Sequence, residues 1–346
     1  MTRHLLLAAL LAPAIAADPV TVFMYSEYID EKIPEQFEKA TGFPLKIEVY
    51  EAQEDMLAKL KTGGSDQYDV VVATDVMIKQ LIGLKLVKPL DQALIPNMKH
   101  VSKDLLNPPY DQGNTYSLPY FWGTAGLMYD TAKVSGEPTW AWIFDAKQQP
   151  GPFLMMDESK TMLGSTMLAL GKPMNSRDPK DLNAAADALV AAKKSAKSLG
   201  FAGGVDGKNK VVAGEAAIAV VYNGDAARGI EEAAAGDKKL ALAYAIPKEG
   251  GNIWVDCLLV TAKAPNKAGA HAFINYINLP EVAAQNANSM RYATPNASAI
   301  PLVDEKDRTN PVIYPGPEIK ARLHYLEDAG KATKLLDATW TKVKAD

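Results

Sequence analysis

Tyr25, Ser26, Glu27 and Tyr28 stand at the end of a short apolar run, residues 22–28 reading V-F-M-Y-S-E-Y. Two phenol rings beside a carboxylate suit an organic cation, because ring faces carry the negative lobe of their quadrupole and the carboxylate supplies charge. The pattern recurs. Trp254 and Asp256 lie two apart, so on a strand they share a face, with Val255 and Cys257 on the other. Tyr222 ends an apolar run and is followed by Asn223, Gly224 and Asp225. In α/β folds ligands bind outside the carboxyl ends of strands, which is where these residues fall. Glu158 (after Asp157), Asp75 and the lone loop aromatic Tyr292 complete the candidates. Each has a plainer reading. The first motif is also a strand running into a polar turn. Residues 223–225 also make an Asn-Gly turn with a capping aspartate, and Asp157, Glu158 and Asp75 also suit helix N-caps.

Catalytic motifs are missing. The chain has no G-x-S-x-G, no phosphate-binding glycine loop, no G-x-G-x-x-G and no H-E-x-x-H. The four histidines are scattered without metal-ligand spacing, and nothing calls for a cofactor. Cys257, the single cysteine, reads by strand parity as a buried, inert thiol. A net charge of −4 without a basic stripe argues against a nucleic-acid partner.

These residues need rigid elements to hold them. With 346 residues, 48% of them hydrophobic, the chain exceeds what one core commonly supports, so two lobes are expected. Strands are expected at 20–24, 45–50, 68–74, 153–156, 217–222, 240–246 and 253–260. Many are nearly continuous runs of Val, Ile, Leu and Ala, the mark of strands covered on both faces. Helices are expected at 34–40, 182–199 and 267–277, placed by Pro34, by Asp178 and Pro179 before and Gly200 after, and by Pro280. The alternation implies α/β layers. No Pro/Ser-rich linker separates the lobes, so the chain is expected to cross between them more than once through a hinge.

Residues 1–17 read M-T-R-H-L-L-L-A-A-L-L-A-P-A-I-A-A, with Arg3, an apolar stretch and a small-x-small site at Ala14–Ala16. That is the pattern of a cleaved signal peptide, residues 1–16, and predicts an exported protein.

Taken together the segments resemble the periplasmic spermidine/putrescine (polyamine)-binding proteins of bacterial ABC transporters. The resemblance rests on Tyr25–Tyr28, Y-D-V-V-V at 68–72, Y-S-L-P-Y-F-W-G at 116–123, P-K-E-G-G at 247–251, Y-A-T-P-N at 292–296 and W-T-K-V-K at 340–344. It implies a type II periplasmic binding protein fold, each lobe a mixed sheet flanked by helices, with the ligand in the cleft between. The expected lobes are 17–125 plus 255–298 and 126–254 plus 299–346. The resemblance implies capture of a di- or polyamine by a monomer, delivery to a membrane permease and no turnover. Tyr25, Ser26, Glu27, Tyr28, Asp75, Glu158, Tyr222, Asp225, Trp254, Asp256 and Tyr292 would line the site. Three departures stand out. Tyr25 and Tyr222 replace tryptophans, Thr161 stands where the family places a glutamate, and Asp75, Val76 and Met77 replace small hydroxyl and aromatic residues. Rival readings are a same-fold receptor for an amino acid, sugar or ferric iron, with Arg228 and Arg291 near the site, an enzyme using Cys257 or an aspartate, and an amine sensor.

Overall fold

The structure, a computed structural model, describes residues 17–236 and 240–346. The expected leader, residues 1–16, lies outside the described residues. Among the described residues there are eleven strands: β1 (Val20–Tyr25), β2 (Leu45–Tyr50), β3 (Val70–Thr74), β4 (Val87–Lys88), β5 (Ser117–Asp130), β6 (Phe153–Met156), β7 (Ser198–Ala202), β8 (Ile218–Tyr222), β9 (Leu242–Ala245), β10 (Gly251–Thr261) and β11 (Leu323–Tyr325). They form one mixed sheet in the order β2-β1-β3-β10-β5-β8-β6-β7, with β4 and β11 against β10 and β9 against β5. Helices separate most consecutive strands, giving the expected α/β fold.

The antiparallel pair β5 and β10 is the axis of the molecule. Its Ser117–Phe121 and Asp256–Leu259 end meets β3, whereas residues 125–129 of β5 pair with β8. The parallel strands β1, β2 and β3 therefore hang on one end and β6, β7 and β8 on the other. Between Asp256 and Cys257 the register slips. Pro119, which has no N–H to donate, stands opposite Cys257 next to the slip, where a proline is tolerated in a sheet.

Apolar packing follows this division. Val22, Met24, Phe37, Val70, Leu118, Leu258 and Phe273 form one buried cluster, and Phe23, Met56, Val71, Ile78, Val255 and Cys257 another on the opposite face of the same strands. Leu127, Trp140, Phe153, Met162, Leu189 and Ile218 form a third. Val303 joins the first cluster and Ile313 the second, while Val343 in the C-terminal helix Thr333–Ala345 joins the third.

The helix expected over 182–199 is corrected. It runs Pro179–Lys193, capped by the Asp178 carboxylate on the Lys180 N–H. It ends at the C-cap Lys194, whose N–H reaches the Val190 carbonyl, and Ser198 and Leu199 belong to β7, which pairs with β6 and carries Gly200 at a φ of +86°. The strand β5, the longest in the protein, was not among the expected strands.

Candidate ligand-binding cleft

The site forms where β1, β3 and β8 end beside the middle of β10 and its crossing with β5. Tyr25 closes β1, and Glu27, held at a φ of +51°, turns the chain so that Tyr28 folds back. The two rings meet edge to face at 5.5 Å and 90°. Tyr120 Oη donates to the Tyr28 carbonyl at 2.6 Å and accepts from Asn286 Nδ2 at 2.9 Å, which fixes the turn. Tyr28 Oη donates to Asp256 Oδ2 at 2.6 Å. Parity on β10 holds through the slip: Trp254 packs with Tyr25 and Tyr292 beside the first cluster, which Leu258 and Val260 join, and Val255 and Leu259 lie in the second. Cys257, beyond the slip, is also in the second cluster. Its thiol meets Tyr110 Oη at 3.5 Å and burial pushes its pKa up, as the inert reading expects.

Rings from distant segments then join. Trp254 lies 5.2 Å from Tyr292 and 6.1 Å from Tyr222, and Tyr28 lies 6.1 Å from Tyr292, centroid to centroid. Tyr222 is the last residue of β8 and the N-cap position of the helix Asn223–Ala235. Asn223–Asp225 therefore open a helix capped at Tyr222 and do not make an Asn-Gly turn with a capping aspartate. The Asn223 side chain accepts from the Thr124 N–H at 3.0 Å and donates to the Val312 carbonyl at 3.1 Å, tying this helix to the β5 crossing. Gly224 is needed here, because a Cβ would drive into the Tyr292 ring.

The electrostatics single out Asp256. Burial pushes its carboxyl up to about 6, opposed by hydrogen bonds from Tyr28 and Thr74. Burial, then the Asp256 charge, raises the Tyr25 and Tyr28 phenols, so both stay neutral donors. Trp254 Nε1 is buried without a hydrogen-bond partner.

Residues 32–311 match the bacterial extracellular solute-binding proteins. The chain belongs to that family. It is similar to the spermidine/putrescine-binding periplasmic protein of Escherichia coli K12, at 30% identity over 99% of this chain and 98% of the relative. It is also 30% identical to a putrescine-binding periplasmic protein of Pseudomonas aeruginosa, over 94% of this chain and 91% of the relative. The solved spermidine/putrescine substrate-binding protein of Streptococcus pneumoniae superposes with a TM-score of 0.84 at 28% identity, covering 95% of this chain and 99% of that one. Among the described residues no helix is long and apolar enough to cross a membrane.

In this solute-binding protein the structure gathers Tyr25, Tyr28, Tyr222, Asp225, Trp254, Asp256 and Tyr292 around one point. Ser26 and Glu27 are exposed on the outer side of the turn. Glu158 is the N-cap of the helix Ser159–Ala169: its oxygens accept from the Lys160 and Thr161 N–H groups, the plainer of the readings open to it. Burial raises the Tyr222 phenol, and the nearby Glu158 charge adds to the rise. Asp75 opens the helix Asp75–Gly83, buried, with Oδ2 unpartnered. Burial, then the Asp256 charge, holds its pKa well above the carboxylate range, and it is within electrostatic reach of Tyr110, Cys257 and Tyr325 on the opposite face of β10. Thr74 and Gln53 were not among the sequence candidates. Gln53 Nε2 donates to Thr74 Oγ1 at 2.7 Å and also reaches Tyr25 Oη, and Tyr25 Oη lies 3.1 Å from Thr74 Oγ1. The end of β3 was the available signal for Thr74. Gln53 had none, since it comes from a helix start 28 residues beyond Tyr25.

Proposed function

We propose that this protein captures a di- or polyamine of the putrescine or spermidine class between two lobes and hands it to the permease of an ABC transporter, turning nothing over. The observation that carries this is the Asp256 carboxyl, 6% exposed, set among Tyr25, Tyr28, Tyr292 and Trp254. A buried carboxylate without a cation is costly, and an ammonium group removes that cost. The rings would wall the methylene chain, each buried CH₂ contributing roughly 0.8 kcal/mol. The names of the relatives from E. coli and P. aeruginosa support the amine class. In this reading the lobes are 17–125 with 255–298, whose clusters also take in Val303 and Ile313, and 126–254 with the C-terminal helix Thr333–Ala345, hinged at the β5–β10 crossing. The mature protein acts as a periplasmic monomer after loss of its leader.

A thermal melt of the mature protein with putrescine, cadaverine, spermidine and spermine tests the reading against 4-aminobutyrate and glucose. A ligand at about 100 times its Kd adds roughly 2.7 kcal/mol of stability, several degrees for a protein of this size. Melting curves left unmoved by all four amines at millimolar concentration end it.

A further inference from the structure

The acids at the ring cluster differ in what already neutralises them. Asp256 receives the hydroxyls of Tyr28 and Thr74 and is in no ion pair among the described residues. Asp75 has Lys160 within electrostatic reach. Asp225, whose side chain is 6% exposed, is ion-paired with Arg228 Nη2 one turn further along its own helix. The same guanidinium lies 5.9 Å from the centroid of Tyr292. A carboxylate beside a ring face suits a second ammonium, and Tyr292, within electrostatic reach of both Asp225 and Asp256, ties this pair to the first acid. The other oxygen of Asp225 offers no second approach on the side of Gly204, where even a Cβ would lie 3.0 Å from Oδ2. The Arg228 side chain itself is 38% exposed, so it has room to swing into solvent.

We propose that Arg228 is a built-in competitor for the distal ammonium of the ligand and so sets how strongly the cleft prefers diamines over monoamines. This rests on the amine reading above. A monoamine binds at Asp256 and leaves the Arg228–Asp225 pair intact. A diamine gains Asp225 and the Tyr292 face only by displacing the guanidinium, which cancels much of what its second charge would add. A charge-assisted hydrogen bond at a buried carboxylate corresponds to about tenfold in affinity or more, and that preference is held back while Arg228 is in place.

Calorimetric titration of the mature protein with putrescine and with n-butylamine reads this directly, in the wild type and in the Arg228→Gln and Arg228→Lys variants. Glutamine and lysine are both good helix formers, so the helix is retained. In Arg228→Gln the ratio of putrescine to n-butylamine affinity is expected to rise about tenfold. In Arg228→Lys, which keeps a cation, it stays near the wild-type ratio. If the wild type binds putrescine and the ratio in Arg228→Gln is unchanged or lower, the proposal falls and the amine reading stands. If 4-aminobutyrate binds the wild type more tightly than either amine and loses that advantage in Arg228→Gln, Arg228 is a carboxylate-binding group, and the proposal is overturned. If no amine binds any of the three proteins, the amine reading falls and takes the proposal with it.

Discussion

The carboxyl of Asp256 meets Tyr28, Thr74 and the nearby acid Asp75 in a site closed to water, and its pKa of about 6 has two consequences of opposite sign. The folded, ligand-free site holds its proton more tightly than the unfolded chain does. Stability of the empty protein therefore falls as pH rises from about 4 to about 6, by roughly 3 kcal/mol at most. An ammonium ligand requires the ionised form. Amine affinity is therefore flat above about pH 7 and weakens towards tenfold per unit below about 6, and titrations from pH 5 to 8 check this. A flat profile to pH 5 would remove Asp256 as the anchoring acid. Asp256→Asn separates binding from folding. Leaving a buried ammonium unpaired costs about 3–5 kcal/mol, so affinity drops on the order of 10²–10³-fold or more. The same variant, freed of a buried charge, melts at pH 7 no lower than the wild type. Loss of binding together with a collapse in melting temperature would instead mark the residue as structural.

At the scale of elements, much was legible because periodicity is local. Runs rich in apolar residues announced β1, β2, β3, β6, β8 and β10, and strand parity placed Trp254 beside the other rings. The strand β5 escaped because Pro119, Gly123 and Gly126 interrupt its pattern. Each of those residues answers to a neighbour far away in sequence. Pro119 stands opposite Cys257 beside the register slip, and a Cβ on Gly126 would lie 2.6 Å from the Ala245 carbonyl oxygen of β9. Gly123 sits at the proposed hinge, where a Cβ would drive into Asn223 Oδ1 and the Trp254 ring. Gly123→Ala is therefore expected to displace Trp254 and break the Asn223 bond to Thr124. Overpacking of this kind costs about 1–3 kcal/mol, and amine affinity should fall with it. Chemical denaturation and titration of the variant check both effects. A variant that binds like the wild type would show that the crossing tolerates more freedom than its packing implies.

Across the whole molecule, the α/β class and the absence of a linker followed from sequence, but ion pairs between distant segments did not. Arg291, just before Tyr292, was noted only as a positive charge near the site. The structure pairs it with Glu231 on the helix Asn223–Ala235 and with Asp307, each at 2.8 Å, and Lys306 adds a 3.3 Å contact to Glu231. Spacing alone could not reveal this, because Glu231 and Arg291 meet only once β8 and the 291–296 loop have been brought to the same end of the sheet. In the proposed lobes Glu231 and Arg291 lie on opposite sides of the cleft, beside one of its rings, so their bond would help hold the lobes shut. Such a pair acts on the lifetime of the closed state more than on encounter. Glu231 is half exposed, which limits the pair to below about 1 kcal/mol. In stopped-flow measurements Glu231→Gln is expected to speed amine release by about two- to fivefold while association changes little. Arg291 keeps Asp307 as its partner in the variant, so the fold is not put at risk. Screening by 0.5 M salt should speed release from the wild type and have a smaller effect on Glu231→Gln. Equal salt sensitivity in the two proteins would mean that the bond does not help hold the cleft closed.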